Sequence, residues 1–500
     1  MVDPGSAADS SVFEGTFADL CIVGAGPAGF AAAIRAHDLG KSVVLVERDR
    51  PGGAGIHHGA LSSKTLWEMS KDYATACRTD RGYRARDLEL SYPQVIAAVE
   101  AATSERRGLL ERQLAAFSNP ASTGPIELVR GSAKFARGAD GVEQVEVTLA
   151  DGAVRVVRAQ FYLVATGSRP RTLPGIAADG IRVLTSDHLE ALPDFPRELV
   201  VLGAGVVGCE YATMFARFGR TAVHLLDREP RILPFEDDDV SSVITESFRE
   251  MGMAIHHQTR LERATPVEGG VSCTLSSPAG TEELVASHLL LSIGRIPNTD
   301  GLGLEDVGVA REPNGALRAD DTRTDNPRIY AAGDVSADMA LANVAELEGR
   351  HAVERMFGLD PNPMRYGALS SILFLAPEVA AVGLNEQQAK KAGVPFRVAV
   401  VSNRLVARNT AMRATRGFVK LLASPEGKLL GLRVVGPQAS STIQGVAFLI
   451  DRGGTLDDID RCIHPHPAIP EGVQECARLL LGRSVHKSSV HGDALRVDQG

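Results

Sequence analysis

Five hundred residues is too long for one hydrophobic core, so two to four domains are expected. The net charge of −9 argues against a general nucleic-acid binder. No run of about 18 apolar residues occurs, so no membrane span is expected. Met1 to Thr16 is small, polar and acidic, without a basic–apolar signal pattern, and the expected location is cytoplasmic.

The first unit starts near Phe17. Leu20 to Val23 is a short apolar strand. Gly24-Ala25-Gly26-Pro27-Ala28-Gly29 follows and opens an alanine-rich helix, which Gly40 stops. Val43 to Val46 is the next strand and ends at Glu47. Residues 61 to about 117 read as mainly helical. Ile126–Phe135, Val142–Leu149 and Val154–Val157 read as strands, and Phe161 to Val164 runs into Ala165-Thr166-Gly167-Ser168.

Then the pattern restarts. Leu199 to Leu202 leads into Gly203-Ala204-Gly205-Val206-Val207-Gly208, a helix ending at Gly219, and a strand from Ala222 to Leu226 that ends in Asp227. Such self-similarity marks an internal duplication. A strand at Leu289 to Ile293 ends in Gly294-Arg295-Ile296-Pro297-Asn298-Thr299, and Arg328 to Ala332 leads into Gly333-Asp334. From about Asn362 the character changes. Strands are expected at Phe396–Val401, Phe418–Leu422 and Leu429–Val435, and helices near Ser441–Asp451 and Pro470–Leu481. This part reads as an α+β domain with an antiparallel sheet.

Each glycine fingerprint has a mechanism. The first glycine makes the tight turn, the second lets backbone approach a pyrophosphate, and the third lets helix and strand pack. The helix N-terminus holds the phosphates, and an acid about 20 residues on binds the ribose hydroxyls. Gly24, Gly26, Gly29 and Glu47 fit this pattern, and so do Gly203, Gly205, Gly208 and Asp227. Two structural glycine turns would not explain both acids. Two bound dinucleotides are expected.

Ala165-Thr166-Gly167, Gly294 to Thr299 and Ile329-Tyr330-Ala331-Ala332-Gly333-Asp334 resemble motifs of the pyridine nucleotide–disulfide oxidoreductases. Their order and spacing are similar to those of the dihydrolipoamide dehydrogenase and soluble transhydrogenase members, over roughly residues 17 to 483. The resemblance implies an α/β fold with two Rossmann-like dinucleotide-binding domains and a C-terminal α+β dimerisation domain. It places an FAD-binding domain at 17–170, continued at 295–362, an NAD(P)-binding domain at 171–294 and a dimerisation domain at 363–483, with 1–16 and 484–500 as flexible tails. It implies FAD on the first fingerprint, with Gly53, Thr166, Gly167 and Asp334 among its contacts and Asp334 on the ribityl chain. The nicotinamide cofactor falls on the second fingerprint, near Gly294. Small nicotinamide substrates and a homodimer are implied too; no nucleic-acid or membrane partner is expected.

By the same resemblance, Lys64 sits beside the flavin ring, where a fixed positive charge stabilises the electron-rich ring. Glu210 corresponds to its ion-pair partner near the nicotinamide. Read without that frame, the two are an exposed helix lysine and a glutamate favoured by a helix N-terminus. His466 and Glu471 match the catalytic dyad in which the glutamate orients the histidine and the histidine shuttles protons. That dyad either protonates a different acceptor or is an interface element inherited without its chemistry. His464 reads as a neighbour.

The departure from the family lies in Gly52 to Lys64. Two redox cysteines with four residues between them are expected, and the chain has Gly55 and Ala60 at those positions. The six cysteines, Cys21, Cys77, Cys209, Cys273, Cys462 and Cys476, form neither a CxxC nor a CxxxxC pair. They show no metal-ligand spacing, and no metal is expected. Cys21 and Cys209 read as buried small hydrophobes. His57 and His58 fall in the disulfide loop, either filling space left by the sulfurs or as spectators. Asp227 favours NAD by accepting a ribose 2′-hydroxyl and repelling a 2′-phosphate. Arg228 and Arg231 leave NADP(H) open.

The leading expectation is an FAD enzyme that transfers hydride between NAD(H) and NADP(H) without a disulfide. Two alternatives stay open: an NAD(P)H dehydrogenase reducing a quinone or other small acceptor, and a non-catalytic flavin-binding subunit.

Overall fold

A computed structural model describes residues 17–336 and 339–499. The expected tail 1–16, with its lack of a signal pattern, lies outside the described residues. No helix among the described residues is long and apolar enough to cross a membrane. The described residues divide into two compact units, one of residues 17–65, 93–171 and 295–364, the other of residues 66–92, 172–294 and 365–499.

The first unit is built on a parallel sheet of five strands. Their order is Ile329–Ala331, Ala159–Val164, Ala18–Val23, Val43–Glu47 and Ile126–Arg130. Both faces are covered, so these strands are continuous apolar runs rather than alternating ones. The helix Pro27–Asp38 buries Ala28, Ala32, Ala33 and Ala36. Small side chains let it approach the Ala342–Met356 helix closely: a Cβ on Gly349 would stand 2.2 Å from the Ala28 carbonyl oxygen. The stretch expected as one strand over Ile126–Phe135 is two. Gly131 breaks it, and Ser132–Arg137 turns away into an antiparallel sheet with Glu143–Thr148 and Val154–Val157.

The second unit repeats the plan. Its parallel sheet has the order Ala254–His256, Ala222–Leu226, Glu198–Leu202, His288–Leu291, Val183–Leu184. Between Ala254–His256 and His288–Leu291 the chain inserts an antiparallel sheet, Arg260–Val267, Gly270–Ser277 and Gly280–Ala286, as the first unit inserts one between Ile126–Arg130 and Ala159–Val164. The duplication is therefore deeper than the fingerprints.

The same unit carries a six-stranded antiparallel sheet in the order Ser370–Leu373, Val379–Gly383, Leu429–Val435, Phe418–Ala423, Arg397–Ser402, Leu495–Gln499. The helices Ala439–Asp451 and Glu471–Leu480 pack on it through Ile443, Val446, Val473 and Cys476. Of the expected flexible tail 484–500, residues 484–499 are instead tied down. Leu495–Gln499 pairs with Arg397–Ser402 at the sheet edge, burying Leu495, and the Arg404–Asp493 ion pair at 2.8 Å anchors the approach. Alternation of apolar and polar residues in Leu495-Arg496-Val497-Asp498 was the available signal.

A buried charge cluster joins the start of the helix Asp238–Glu250 to this sheet. Lys420 Nζ lies 2.9 Å from Asp237, 2.5 Å from Asp239 and 2.8 Å from Glu386. Arg433 Nε lies 2.9 Å from Glu236. Lys420, Asp237, Arg433 and Glu236 are all buried, a placement charged residues adopt only when paired.

Candidate functional site

The first fingerprint ends the strand Ala18–Val23. Gly24 has φ +106°, and a Cβ there would stand 2.3 Å from the Ala165 carbonyl oxygen. A Cβ on Gly29 would stand 1.8 Å from the Gly24 oxygen. Gly26, between them, faces open space within 4 Å. It is the N-cap of the Pro27–Asp38 helix and supplies no side-chain cap. The helix N–H groups are thus left for an anion, and a Cβ at Gly26 would fill the cradle. Glu47 is buried at the end of its strand. Its Oε2 accepts the Ala25 N–H at 2.7 Å and its Oε1 the Asp49 N–H at 2.8 Å.

The motifs at Thr166, Asn298 and Asp334 meet in the same unit. Thr166 Oγ1 donates to the Asn298 carbonyl at 2.8 Å, and Asn298 Nδ2 donates to the Thr166 carbonyl at 3.0 Å. Ser168–Pro170 pairs antiparallel with Arg295–Pro297. Asp334 accepts the Ser168 hydroxyl at 2.6 Å, and the Arg295 guanidinium lies 3.9 Å away. The Gly333 N–H donates to Glu348 at 2.7 Å.

The loop with the missing cysteines is stitched to this turn. The Gly52 N–H donates to the Ala25 carbonyl at 2.8 Å. A Cβ on Gly53 would stand 3.0 Å from Gly26 Cα. A Cβ on Gly55 would stand 2.6 Å from Pro27 Cγ. A side chain at position 55, cysteine included, requires the Pro27 ring or the loop to shift. Ala60 begins the helix Ala60–Ala76, and Lys64 lies one turn in, its Nζ 3.2 Å from the Ser63 hydroxyl. His57 Nε2 is buried with no hydrogen-bond partner among the described residues. Burial holds the His57 pKa below the ordinary histidine value; the Pro51 carbonyl opposes this, and Arg50 and Arg107 add to it.

The second fingerprint repeats the first. Gly203 has φ +102°, Gly205 faces open space, and a Cβ on Gly208 would stand 1.8 Å from the Gly203 oxygen. Asp227 accepts the Ala204 N–H at 2.5 Å and the Glu229 N–H at 2.9 Å. Gly294 has φ +100° and open space around it. Glu210 is 4% exposed and accepts the Phe374 N–H at 3.0 Å. Arg231 is engaged elsewhere: it donates to the Leu233 and Pro234 carbonyls and to Gln387, and pairs with Asp238 at 3.2 Å. Arg228 is exposed and pairs with Glu229 at 3.3 Å.

His466 and Glu471 meet as a pair. Nδ1 of His466 lies 2.7 Å from Glu471 Oε1, while Glu471 Oε2 accepts the Ala468 N–H at 2.7 Å. Burial pushes the Glu471 carboxyl up, but the Ala468 N–H and the imidazole outweigh it and hold it below the usual glutamate range. The His466 side chain is 72% exposed. His464 bonds the Ile459 carbonyl instead.

The pyridine nucleotide-disulphide oxidoreductase model matches residues 18–349, and that family's dimerisation-domain model matches 369–477. The chain belongs to this family. Its members are FAD-dependent oxidoreductases that use NAD(P)H and form homodimers through the second domain. The chain is 36% identical over 465 residues to a mercuric reductase of Streptomyces lividans, covering 92% of this chain and 95% of that one. It is 33% identical over 475 residues to a dihydrolipoyl dehydrogenase of Geobacillus stearothermophilus, covering 94% and 97%. The crystal structure of LpdA from Mycobacterium tuberculosis superposes with a TM-score of 0.85 at 30% identity, covering 92% of this chain and 99% of that one.

All six cysteines are free. Cys21, Cys209, Cys273 and Cys476 are buried, and burial pushes the Cys21 thiol up to about 12, so it is inert as a nucleophile. Among the described residues no group of three or more histidine, cysteine or acidic side chains stands ready to hold a metal. Ser168, Glu348 and Phe374 were missed as supports. The partners of Ser168 and Phe374 lie 166 and 164 positions away, so local pattern carries no signal for them, while Glu348 lies 15 residues beyond Gly333.

Proposed function

We propose that this protein transfers hydride between NAD(H) and NADP(H) through bound FAD, without a protein dithiol. One observation carries the reading: both dinucleotide cradles keep their glycines and acids, while position 55 is a glycine packed against Pro27 and position 60 an alanine. Mercuric and dihydrolipoamide chemistry need a thiol pair, so the reactions in those relatives' names do not transfer to this chain.

The residues fit FAD at the first cradle by their donor set, with N–H groups at the uncapped helix start for the pyrophosphate and Glu47 for the ribose. Bound FAD would accept a hydride from one nicotinamide and return it to another. Lys64 would hold positive charge at the ring, and Asp334, oriented by Ser168, would take the ribityl hydroxyls. Glu210, buried and fixed by the Phe374 N–H, would orient the nicotinamide end. One nicotinamide site visited alternately suffices. Asp227 and the engagement of Arg231 favour NAD(H) as the tighter of the two ligands. A cytoplasmic homodimer fits this role.

The His466–Glu471 pair favours a second reading. An exposed imidazole oriented by a carboxylate can deliver protons, which a quinone acceptor needs and a nicotinamide does not. Steady-state assays with NADH and either thio-NADP⁺ or a quinone separate the two. Turnover with a quinone alone would replace the first reading with the second.

A further inference from the structure

His224 and His256 belong to none of the sets above. His224 lies in the strand Ala222–Leu226, and His256 ends the edge strand Ala254–His256 that pairs with it in parallel. Nδ1 of His224 lies 3.2 Å from Nε2 of His256. The ring centroids are 5.5 Å apart. That is the separation of two rings meeting nitrogen to nitrogen, rather than converging on a third atom. One ring therefore donates and the other accepts. Both outer nitrogens face carboxylates. His224 Nε2 lies 2.9 Å from Glu198 Oε1, and His256 Nδ1 lies 3.8 Å from Glu282 Oε1. Four strands thus contribute an acid–imidazole–imidazole–acid chain. The other charged neighbour of His256 is His257, which itself faces Arg249 and Asp227.

The end of this edge strand holds the acid of the second cradle. The Asp227 N–H donates to the His256 carbonyl at 3.0 Å, the Thr259 N–H to the Asp227 carbonyl at 2.8 Å, and the Gln258 N–H to the Glu229 carbonyl at 3.1 Å. Gln258 is held at φ +52°, a conformation a glutamine seldom adopts. The carboxylate that would meet the ribose is thus placed by backbone bonds to the strand that His256 anchors.

We propose that the N–H···N bond between His224 and His256 clips the edge strand in place and positions Asp227, so that charging both rings breaks the bond and weakens nicotinamide dinucleotide binding. The inference rests on reading Gly203 to Asp227 as the dinucleotide cradle. With both rings charged, two N–H groups would oppose each other and the bond is lost, with like-charge repulsion added. Burial holds His256 below the ordinary histidine value; His224 and His257 add to this and Glu282 opposes it. The folded clip therefore prefers the neutral ring. It is whole above the ordinary value of about 6.5 and is lost as pH falls through the depressed one. Here His256 is a positioning residue, acting through Asp227.

The test is calorimetric titration of the FAD-loaded enzyme with NAD⁺ across this range. Wild-type Kd should rise about tenfold between about pH 7.5 and pH 5.5, since one linked proton is worth at most tenfold per unit. His256→Ala should raise Kd at the upper pH toward the acid value and flatten the profile. His256→Gln returns an N–H donor without a titrating ring, and should restore affinity while staying flat. His257→Gln should keep the wild-type slope. A flat wild-type profile, or a slope that survives His256→Gln, overturns this inference alone. Absence of NAD⁺ binding at every pH overturns the cradle reading along with it.

Discussion

Gly26→Ala separates a ligand cradle from a structural turn. Gly26 has φ −72°, which alanine adopts freely, and a Cβ there meets nothing within 4 Å. Its neighbour Gly29 is the contrast, because a Cβ there would overlap the Gly24 carbonyl oxygen at 1.8 Å. For Gly26→Ala, a slight loss at the N-cap and a slight gain from a stiffer unfolded chain nearly cancel, so stability should change by less than about 1 kcal/mol. For Gly29→Ala the backbone must give by more than an ångström, at a cost of roughly 3 kcal/mol or more. FAD affinity should respond oppositely to this ranking of stability. The added methyl at Gly26 occupies the space a pyrophosphate needs, and about 3 kcal/mol of lost binding is about a hundredfold in Kd. The assay pairs urea denaturation of the apoprotein with flavin retained after gel filtration. A Gly26→Ala protein that keeps stoichiometric FAD at unchanged affinity would show that Gly26 does not face the pyrophosphate.

Four further outcomes are expected. Restoring cysteines by Gly55→Cys with Ala60→Cys should destabilise the protein by about 1–3 kcal/mol, because the new Cβ meets the Pro27 ring; a thermal melt at or above wild type would show that the loop has room. Lys64→Met should slow flavin reduction by NADH about tenfold or more in stopped flow, the fixed charge being lost, and an unchanged rate would remove Lys64 from the site. Lys420→Met should cost about 3–5 kcal/mol in urea denaturation by leaving Asp237 buried and unpaired. Burial pushes the Asp237 carboxyl up, but Lys420 and the backbone N–H groups outweigh it and lower its pKa; its contribution is therefore full above the unfolded value of about 3.9 and lost as pH falls through the folded one, and a stability unchanged in acid would contradict that.

The two parallel sheets were legible because their strands are buried on both faces and punctuated by glycines with one physical task each. Gly24 and Gly203 turn, Gly29 and Gly208 pack, and Gly26 and Gly205 stand open. The antiparallel insert over residues 260–286 emerged only in the structure, although Gly269 at φ +74° and Gly280 at φ +127° mark its two turns. The strand Leu495–Gln499 was hidden by charge: Arg496 and Asp498 give it the look of a frayed end, although its partner strand is an unpaired edge without it. At the site, chemistry-bearing residues were legible in motifs and their supports were not. Ser168 and Asp334 lie 166 positions apart, and Glu210 and Phe374 lie 164 apart. The crowding of position 55 by Pro27 is likewise a matter of packing, which the sequence signalled only as a missing cysteine.

In the proposed reaction, electrons leave the flavin for a second nicotinamide, with no dithiol between. The most direct measurement is anaerobic stopped flow: bleach the flavin with one equivalent of NADH, then mix with thio-NADP⁺ or, separately, with a quinone. Rapid return of the yellow colour with thio-NADP⁺ is the predicted result. Return with the quinone alone, or a flavin that neither NADH nor NADPH bleaches, would contradict it, the last pointing to a non-catalytic flavin-binding role.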